Sequence, residues 1–544
     1  MSGIYKIIIS LAASVYATLA TISFSFLLFI LPLISILLYG CNRNKTQSIT
    51  ANESKNIDSP TETAEASTFQ YLPPVFSSQQ NNDSATSIIL TTADVARFDG
   101  KTEEKPYVNS LQIVDADQPW PPRWYTSSPV YTDEMFERVT KNGEYRYDMT
   151  VDGKVDDGVF SFYKILSKQK LGMGQLIAPD FAGYILLNQK MEPFDTIKSN
   201  QNRSNVFFHD LRINEKGERL VDLKKDTYLD LRDYTDDPKD TAVHCNIDYI
   251  HILDSNNKII YTWNPIYHIN PDLFRYKETV GRKAFAANHS DLIEWTRLTS
   301  APWDYDGNFM YCMKWIGIGK VSRETGHVIW QINYSDIPIV SSKDTLEWYC
   351  PHDLNLLDHN ANTATYSLYS NGDEKTKPAC GVIFQMEKKT NKFKLVKYIY
   401  PQTRYFADGQ GNLEYFPNGD YAIGYGFFEK SDTGKAGHYR NALEYKLNNG
   451  TNGVYQLPQW IYTYKARLLR NWPRPPRPVI LKKGDVLEAS GDFKDYTWYK
   501  LSGTNLTTVD KVGTGKTLKC EKGSIYCVEV KYGIGFSVSR IFRN

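Results

Sequence analysis

Three similar phrases stand far apart in this chain: "VFFHDLRINEKG", "ANHSDLIEW" and "EWYCPHDLNLLDHN". Their histidines are His209, His289 and His352, each followed within two residues by an aspartate, Asp210, Asp291 and Asp353. The whole sequence contains only 9 His. A neutral imidazole is a competent nucleophile, acid or base near pH 7. Three imidazoles at one point could also bind zinc. No short ligand spacing such as HxH or HExxH accompanies them, so the sequence assigns no metal and no cofactor. The bland alternative is a structural corner, with Asp capping a turn and His bonded to a carbonyl.

What could bring such distant residues together is a repeated β element. From about residue 106 the chain reads as strand, polar turn, strand, as in "NIDYIHILDSNNKIIYTWN", "GKVSRETGHVIWQIN" and "NLEYFPNGDYAIGYG". No long amphipathic helix is visible, and aromatic content is 14% with 38 Tyr, which favours strands. A long run of short hairpins must close on itself or repeat radially to protect its edges. The expectation is an all-β chain built on a β-propeller. Equivalent inner strands of different blades would then aim their histidines at one axis. The intervals between the phrases exceed one ordinary blade of about 40–50 residues, so the spacing leaves the blade count open.

The body is flanked by segments of other character. Residues 7–40 are almost wholly apolar or small, with Lys6 before them and Cys41 after Leu38-Tyr39-Gly40. Three readings stand: a transmembrane anchor, a cleaved secretory signal, or a lipoprotein signal with Cys41 lipidated. Each exports the rest of the chain. Residues 1–41 are thus a signal or anchor, and 42–105, rich in Ser, Thr, Asn and Gln, a flexible linker. A small β region is expected over 106–170 and the propeller over 171–469. After the Pro-rich "RNWPRPPRPVI", residues 479–544 read as an immunoglobulin-like β-sandwich around Trp498 and "IYCVEV". Cys520 and Cys527 could bridge there or remain separate thiols. A net charge of +1 argues against nucleic acid as a partner.

The order of the pieces "FFHDLRINEKGERLVDL", "HSDLIEW…DYDGNFMYCMKWIGIGK", "CPHDLNLLDHN" and "GNLEYFPNGDYAIGYG" resembles the bacterial arylsulfotransferases that need no nucleotide sulfate donor. The resemblance covers about 200–450. It implies a six-bladed propeller preceded by a small β domain. It also implies ping-pong transfer of a sulfuryl group from a phenolic sulfate ester to a phenol, through sulfohistidine. His352 matches the nucleophile, and His209 and His289 match two further site histidines. Lys314, in "KWIGIGK", stands where the family carries an arginine. Lysine offers one point charge where arginine offers a planar fork. A bridge from Cys350 to Cys312 or Cys380 is a further possibility by analogy. The implied place is the periplasm or surface of a Gram-negative bacterium, with the membrane as partner through the N-terminal anchor or lipid.

Two rival readings remain at this level. One is an exported binding or adhesion module that has lost catalysis, for which Lys314 speaks. The other is a quinone-dependent propeller, for which the single phrase "TGHVIW" speaks.

Overall fold

In the computed structural model the described residues are most of 144–544, the strands at 75–78, 88–96 and 107–115, and the segment 121–126. The longer stretches outside the description are 1–74, 79–87, 97–106, 127–143, 171–180, 270–292, 334–345 and 427–438. The apolar run at 7–40, Cys41 and most of the linker fall there. No helix among the described residues is long and apolar enough to cross a membrane.

Antiparallel meanders follow one another along the chain. Blade one comprises Glu144–Asp156, Val159–Lys170, Phe181–Leu187 and Pro193–Lys198. Blade two comprises Asn205–Ile213, Arg219–Leu229, Val243–Leu253 and Ile259–Trp263. Blade three runs from Leu298–Ser300 to Val328–Asn333, and blade four from Pro351–His359 to Lys392–Ile399. Blade five runs from Asn412–Tyr415 to Asn452–Pro458, with Val75–Ser78 added at its outer edge. Blade six is composite: Ala466–Leu468 from late in the chain pairs with Ile88–Ala96, which pairs with Tyr107–Asp115 and then Trp124–Tyr125. Each innermost strand touches the next, and Ile88–Ala96 of blade six returns to blade one. The fold is therefore a β-propeller of six blades, closed by strands from both ends of its sequence. Sharing one blade between distant segments removes the open edge that a string of meanders would leave.

Tight turns make these hairpins. In "INEKGE", Asn214 Oδ1 accepts from the backbone N–H of Lys216 (3.0 Å) and Glu218 (3.0 Å), while Gly217 takes φ +72°. "LDSNNK" repeats the device with Asp254 Oδ1. An Asx side chain here replaces backbone turn bonds, and a residue tolerant of positive φ completes the reversal.

Two expected boundaries move. The small β region expected over 106–170 does not stand apart: Tyr107–Asp115 lies in blade six, and Glu144–Asp156 and Val159–Lys170 are the first strands of blade one. Their apolar faces need the later strands to be covered. Residues 479–544 form two sheets around Ile480, Leu487, Trp498, Tyr526, Val528 and Val530. One sheet continues into blade six, where Ser537 lies opposite Trp124 and Phe536 opposite Tyr125. Its other face, with Tyr499, Leu501, Cys527 and Val538, packs on Val114, Tyr125, Leu443, Tyr445 and Ala466 of the propeller. Cys520 packs on the opposite core. The two cysteines thus face different sides, and both are thiols rather than the bridge considered from sequence.

Ions fill the propeller axis. Asp152, Asp210 and Asp353 are buried with Lys154, Lys465 and Arg467, and Arg212 lies beside them. Arg467 Nη2 is 3.1 Å from Asp353 and 3.3 Å from Asp152. Lys465 Nζ is 3.3 Å from Asp152 and 3.5 Å from Asp353. Burial alone would raise the Asp353 carboxyl, but Arg467, Lys465 and Arg212 hold it well below the usual range. Removing one partner of a buried ion set leaves charge uncompensated, at a cost of about 3–5 kcal/mol. Arg467→Met is therefore expected to lower unfolding stability by about that amount. A urea midpoint equal to that of the parent chain would refute a closing role for these ions.

Candidate active site

A strand normally sends successive side chains to opposite faces. His209-Asp210 and His352-Asp353 break that rule. Ladder register shifts opposite both phrases, between Val221 and Leu223 in blade two and between His352 and Asn355 in blade four. Asp353 takes φ +51° and Cys350 φ +45°. A bulge of this kind re-aims side chains, so the histidine and the aspartate both address the axis. Blade one has the same irregularity at Asp152, with φ +50°.

His352 is 4% exposed. Its Nδ1 lies 2.8 Å from the carbonyl of Cys350, which can only accept, so Nδ1 carries the proton. Nε2 then presents a lone pair, to which the backbone N–H of Gln410 donates at 3.3 Å, a long bond. Gln410 is held in place by Asn371, whose Nδ2 donates to its carbonyl at 2.9 Å. Next to it, Gly411 has φ +88°, and a Cβ there would meet the ring of Tyr369 at 2.3 Å. The ammonium of Lys314 reaches the same loop, 4.0 Å from where a Cβ of Gly409 would stand. Burial, then the Lys314 charge, push His352 down to about 3, against the opposing bond to Cys350.

His209 is also buried, its ring edge-on to Phe207 at 4.5 Å. Its Nδ1 is 3.5 Å from Asp222. Burial, then the charges of Lys224, Arg297, His352 and Lys465, hold it well below the usual histidine value. A resting His209 is therefore neutral, which suits a base. His289 lies outside the described residues. The structure thus brings together His352, His209 and Lys314.

The partner aspartates act differently from the expected turn cap. Asp353 joins the axial ions, and Asp210 accepts from Arg212 Nε (2.8 Å) and from the N–H of Ala301 in blade three (3.0 Å). These carboxylates tie blades together. The carboxylate that does face His209 is Asp222, one strand outward. His209, Asp222 and Asp248 each bring one ligand atom within 4.8 Å of the others, close enough for a cation. Lys224 Nζ already stands 3.9 Å from Asp248 there, so a fixed ammonium supplies the charge. Cys312, Cys350 and Cys380 are thiols, so the bridge considered by analogy is not formed.

Sequence reading missed Arg297, Gln410 and Asp222. Arg297 was legible in kind, as a cation closing the second phrase "HSDLIEWTR". Gln410 acts through its backbone, which carries no signature.

The sequence profile of the family described as Arylsulfotransferase (ASST) matches residues 157–435, just over half of the chain. The chain belongs to the arylsulfotransferase family. Membership supports aryl sulfotransferase activity and implies an aryl sulfate donor and a phenol acceptor. No curated protein matches the sequence. Among solved structures, the WD40 propeller domain of Doa1 is 12% identical, covering 71% of this chain and 96% of its own, with TM-score 0.27. BamB from Moraxella catarrhalis is 10% identical, covering 71% and 98%, with TM-score 0.24. The propeller assignment rests on this chain's own strand order.

Both buried histidines bear on stability. Each is neutral when folded but takes a proton near pH 6.5 when unfolded. The unfolded chain thus binds more protons below that value, and stability must fall as pH drops from about 6.5 toward 3. Each histidine contributes a slope of up to about 1.4 kcal/mol per pH unit. In urea titrations from pH 7 to pH 4.5, His352→Asn should show a shallower loss than the parent. An identical slope would mean that His352 is protonated in the fold.

Proposed function

We propose that this arylsulfotransferase works by a ping-pong mechanism with His352 as the nucleophile. One observation carries this: a buried imidazole held neutral, its Nδ1 proton fixed on Cys350, with Nε2 directed at a backbone N–H beside an ammonium. Only the unprotonated nitrogen can attack, and this environment keeps it unprotonated over the whole physiological range.

In the first half-reaction Nε2 of His352 forms a bond to sulfur as the bond from sulfur to the aryl oxygen breaks. The electron pair leaves on the phenolate. The Nδ1 proton stays on the ring, where the Cys350 carbonyl stabilises the positive charge that sulfonation creates. The weak Gln410 contact is given up, and its N–H becomes a donor for a sulfuryl oxygen, with Lys314 beside it. An anionic donor also offsets the cations that depress His352. In the second half-reaction the acceptor phenol, with a pKa of about 10, needs a base as it attacks sulfur. His209, neutral at rest, takes that proton, and Asp222 faces the Nδ1 side of the ring. His289 is assigned to the same site by family resemblance.

The proposal places the enzyme outside the cytoplasm, attached through the apolar segment at 7–40 or a lipid on Cys41, because these residues have the pattern of an export signal.

Purified full-length protein incubated with 4-nitrophenyl sulfate is expected to release nitrophenolate only when excess phenol is present. His352→Asn should reduce that release by at least about 1000-fold, since loss of a nucleophile leaves only binding and charge stabilisation. Release without phenol would indicate hydrolysis instead. No release from folded protein would favour the binding-module reading.

A further inference from the structure

Lys314 alone grips a sulfuryl group poorly. Three oxygens surround the sulfur in transfer, and one ammonium is a point charge without a fork. The structure supplies a second cation. Arg297 sits at the entry to blade three, half-buried, between Thr296 and Leu298. Its φ is +41°, unusual for a side chain of this size. The backbone on both sides is clamped. The N–H of Asp248 donates to Thr296 Oγ1 at 2.8 Å, and Thr296 Oγ1 donates to Asp248 Oδ2 at 2.7 Å. The N–H of Leu298 donates to the same Oδ2 at 3.0 Å. The Arg297 carbonyl accepts from the backbone N–H of Lys314 at 2.9 Å, so the two residues stand opposite each other on neighbouring strands of blade three. Backbone strain held by its surroundings in this way tends to mark functional positions. The charge of Arg297 is also felt by the rings of both His209 and His352.

We propose that Arg297 is a catalytic residue of the sulfuryl transfer, offering two N–H donors to the sulfuryl oxygens while Lys314 and the Gln410 N–H hold the remainder. This rests on the transfer reading above. Arg297 would restore from a neighbouring strand the planar fork that Lys314 lacks, and Asp248 is its positioning residue.

The test uses the full chain with 4-nitrophenyl sulfate and phenol, and compares Arg297→Ala and Arg297→Lys with the parent. Arg297→Ala should lower kcat/KM for the donor by about 100-fold or more, the scale of losing a transition-state donor. Added guanidinium ion should restore part of the loss, which a purely structural role would not allow. Arg297→Lys, which keeps charge and length, should still lose at least about tenfold, because the fork is gone. Parental kcat/KM in Arg297→Lys overturns the proposal even if the alanine variant does not fold. So does a folded Arg297→Ala within threefold of the parent, or one that guanidinium cannot rescue. If the parent itself shows no phenol-dependent release, the transfer reading fails and this inference falls with it. If the parent transfers and the variants do too, only the role of Arg297 is lost.

Discussion

The charged axis is the constraint on which the rest depends. Asp152, Asp210 and Asp353 cannot be buried without cations, and Lys154, Arg212, Lys465 and Arg467 cannot be buried without carboxylates. The members come from blades one, two, four and six. Their pairing is satisfied only when those blades stand around one axis in one register. Lys465 and Arg467 come from the stretch that leads into and forms the late strand of blade six. The ions that complete the network are therefore the ones that close the ring. Apolar packing between blades supplies bulk stabilisation, but it would tolerate a slip that the ions would not.

The same network sorts the His-Asp phrases into two tasks. Bulges in the inner strands let adjacent residues share the axis, and charge decides which goes where. The aspartates turn to the cations and join blades. The imidazoles remain at the rim of the network, within reach of the charges of Lys314, Arg297 and Lys465. Their neutrality follows from that position. Burial and nearby cations act in the same direction, so both rings rest as bases. Cations that disfavour a protonated imidazole are also the groups that stabilise an anionic sulfuryl group, so one arrangement serves both needs.

The C-terminal residues show a related economy of faces. The sheet containing Trp498 buries one side in its own small core and the other against blades five and six. Through Trp124–Tyr125 it extends blade six rather than hanging from the end of the propeller. The bond from Trp124 Nε1 to the carbonyl of Tyr532, at 3.1 Å, and that from Ser537 Oγ to the carbonyl of Arg123, at 2.8 Å, belong to this joint.

The sequence by itself determined the all-β class, the hairpin turns, the repeated phrase and the family. Each depends on short-range pattern: alternation of apolar residues, Asx and Gly at reversals, and a few residues in fixed order. His352, His209 and Lys314 were named from those patterns, and they lie together. Only the tertiary structure decided what the aspartates of the phrase do, since His-Asp adjacency reads the same whether Asp orients the ring or binds Arg467 from more than a hundred residues away. It alone decided that 144–170 belongs to the propeller, because a strand's partner is set by which surface remains uncovered. It also brought Gln410 and Asp222 to the histidines and set Arg297 opposite Lys314. The backbone N–H of Gln410 and the strained φ of Arg297 are properties of conformation, and no residue type announces them.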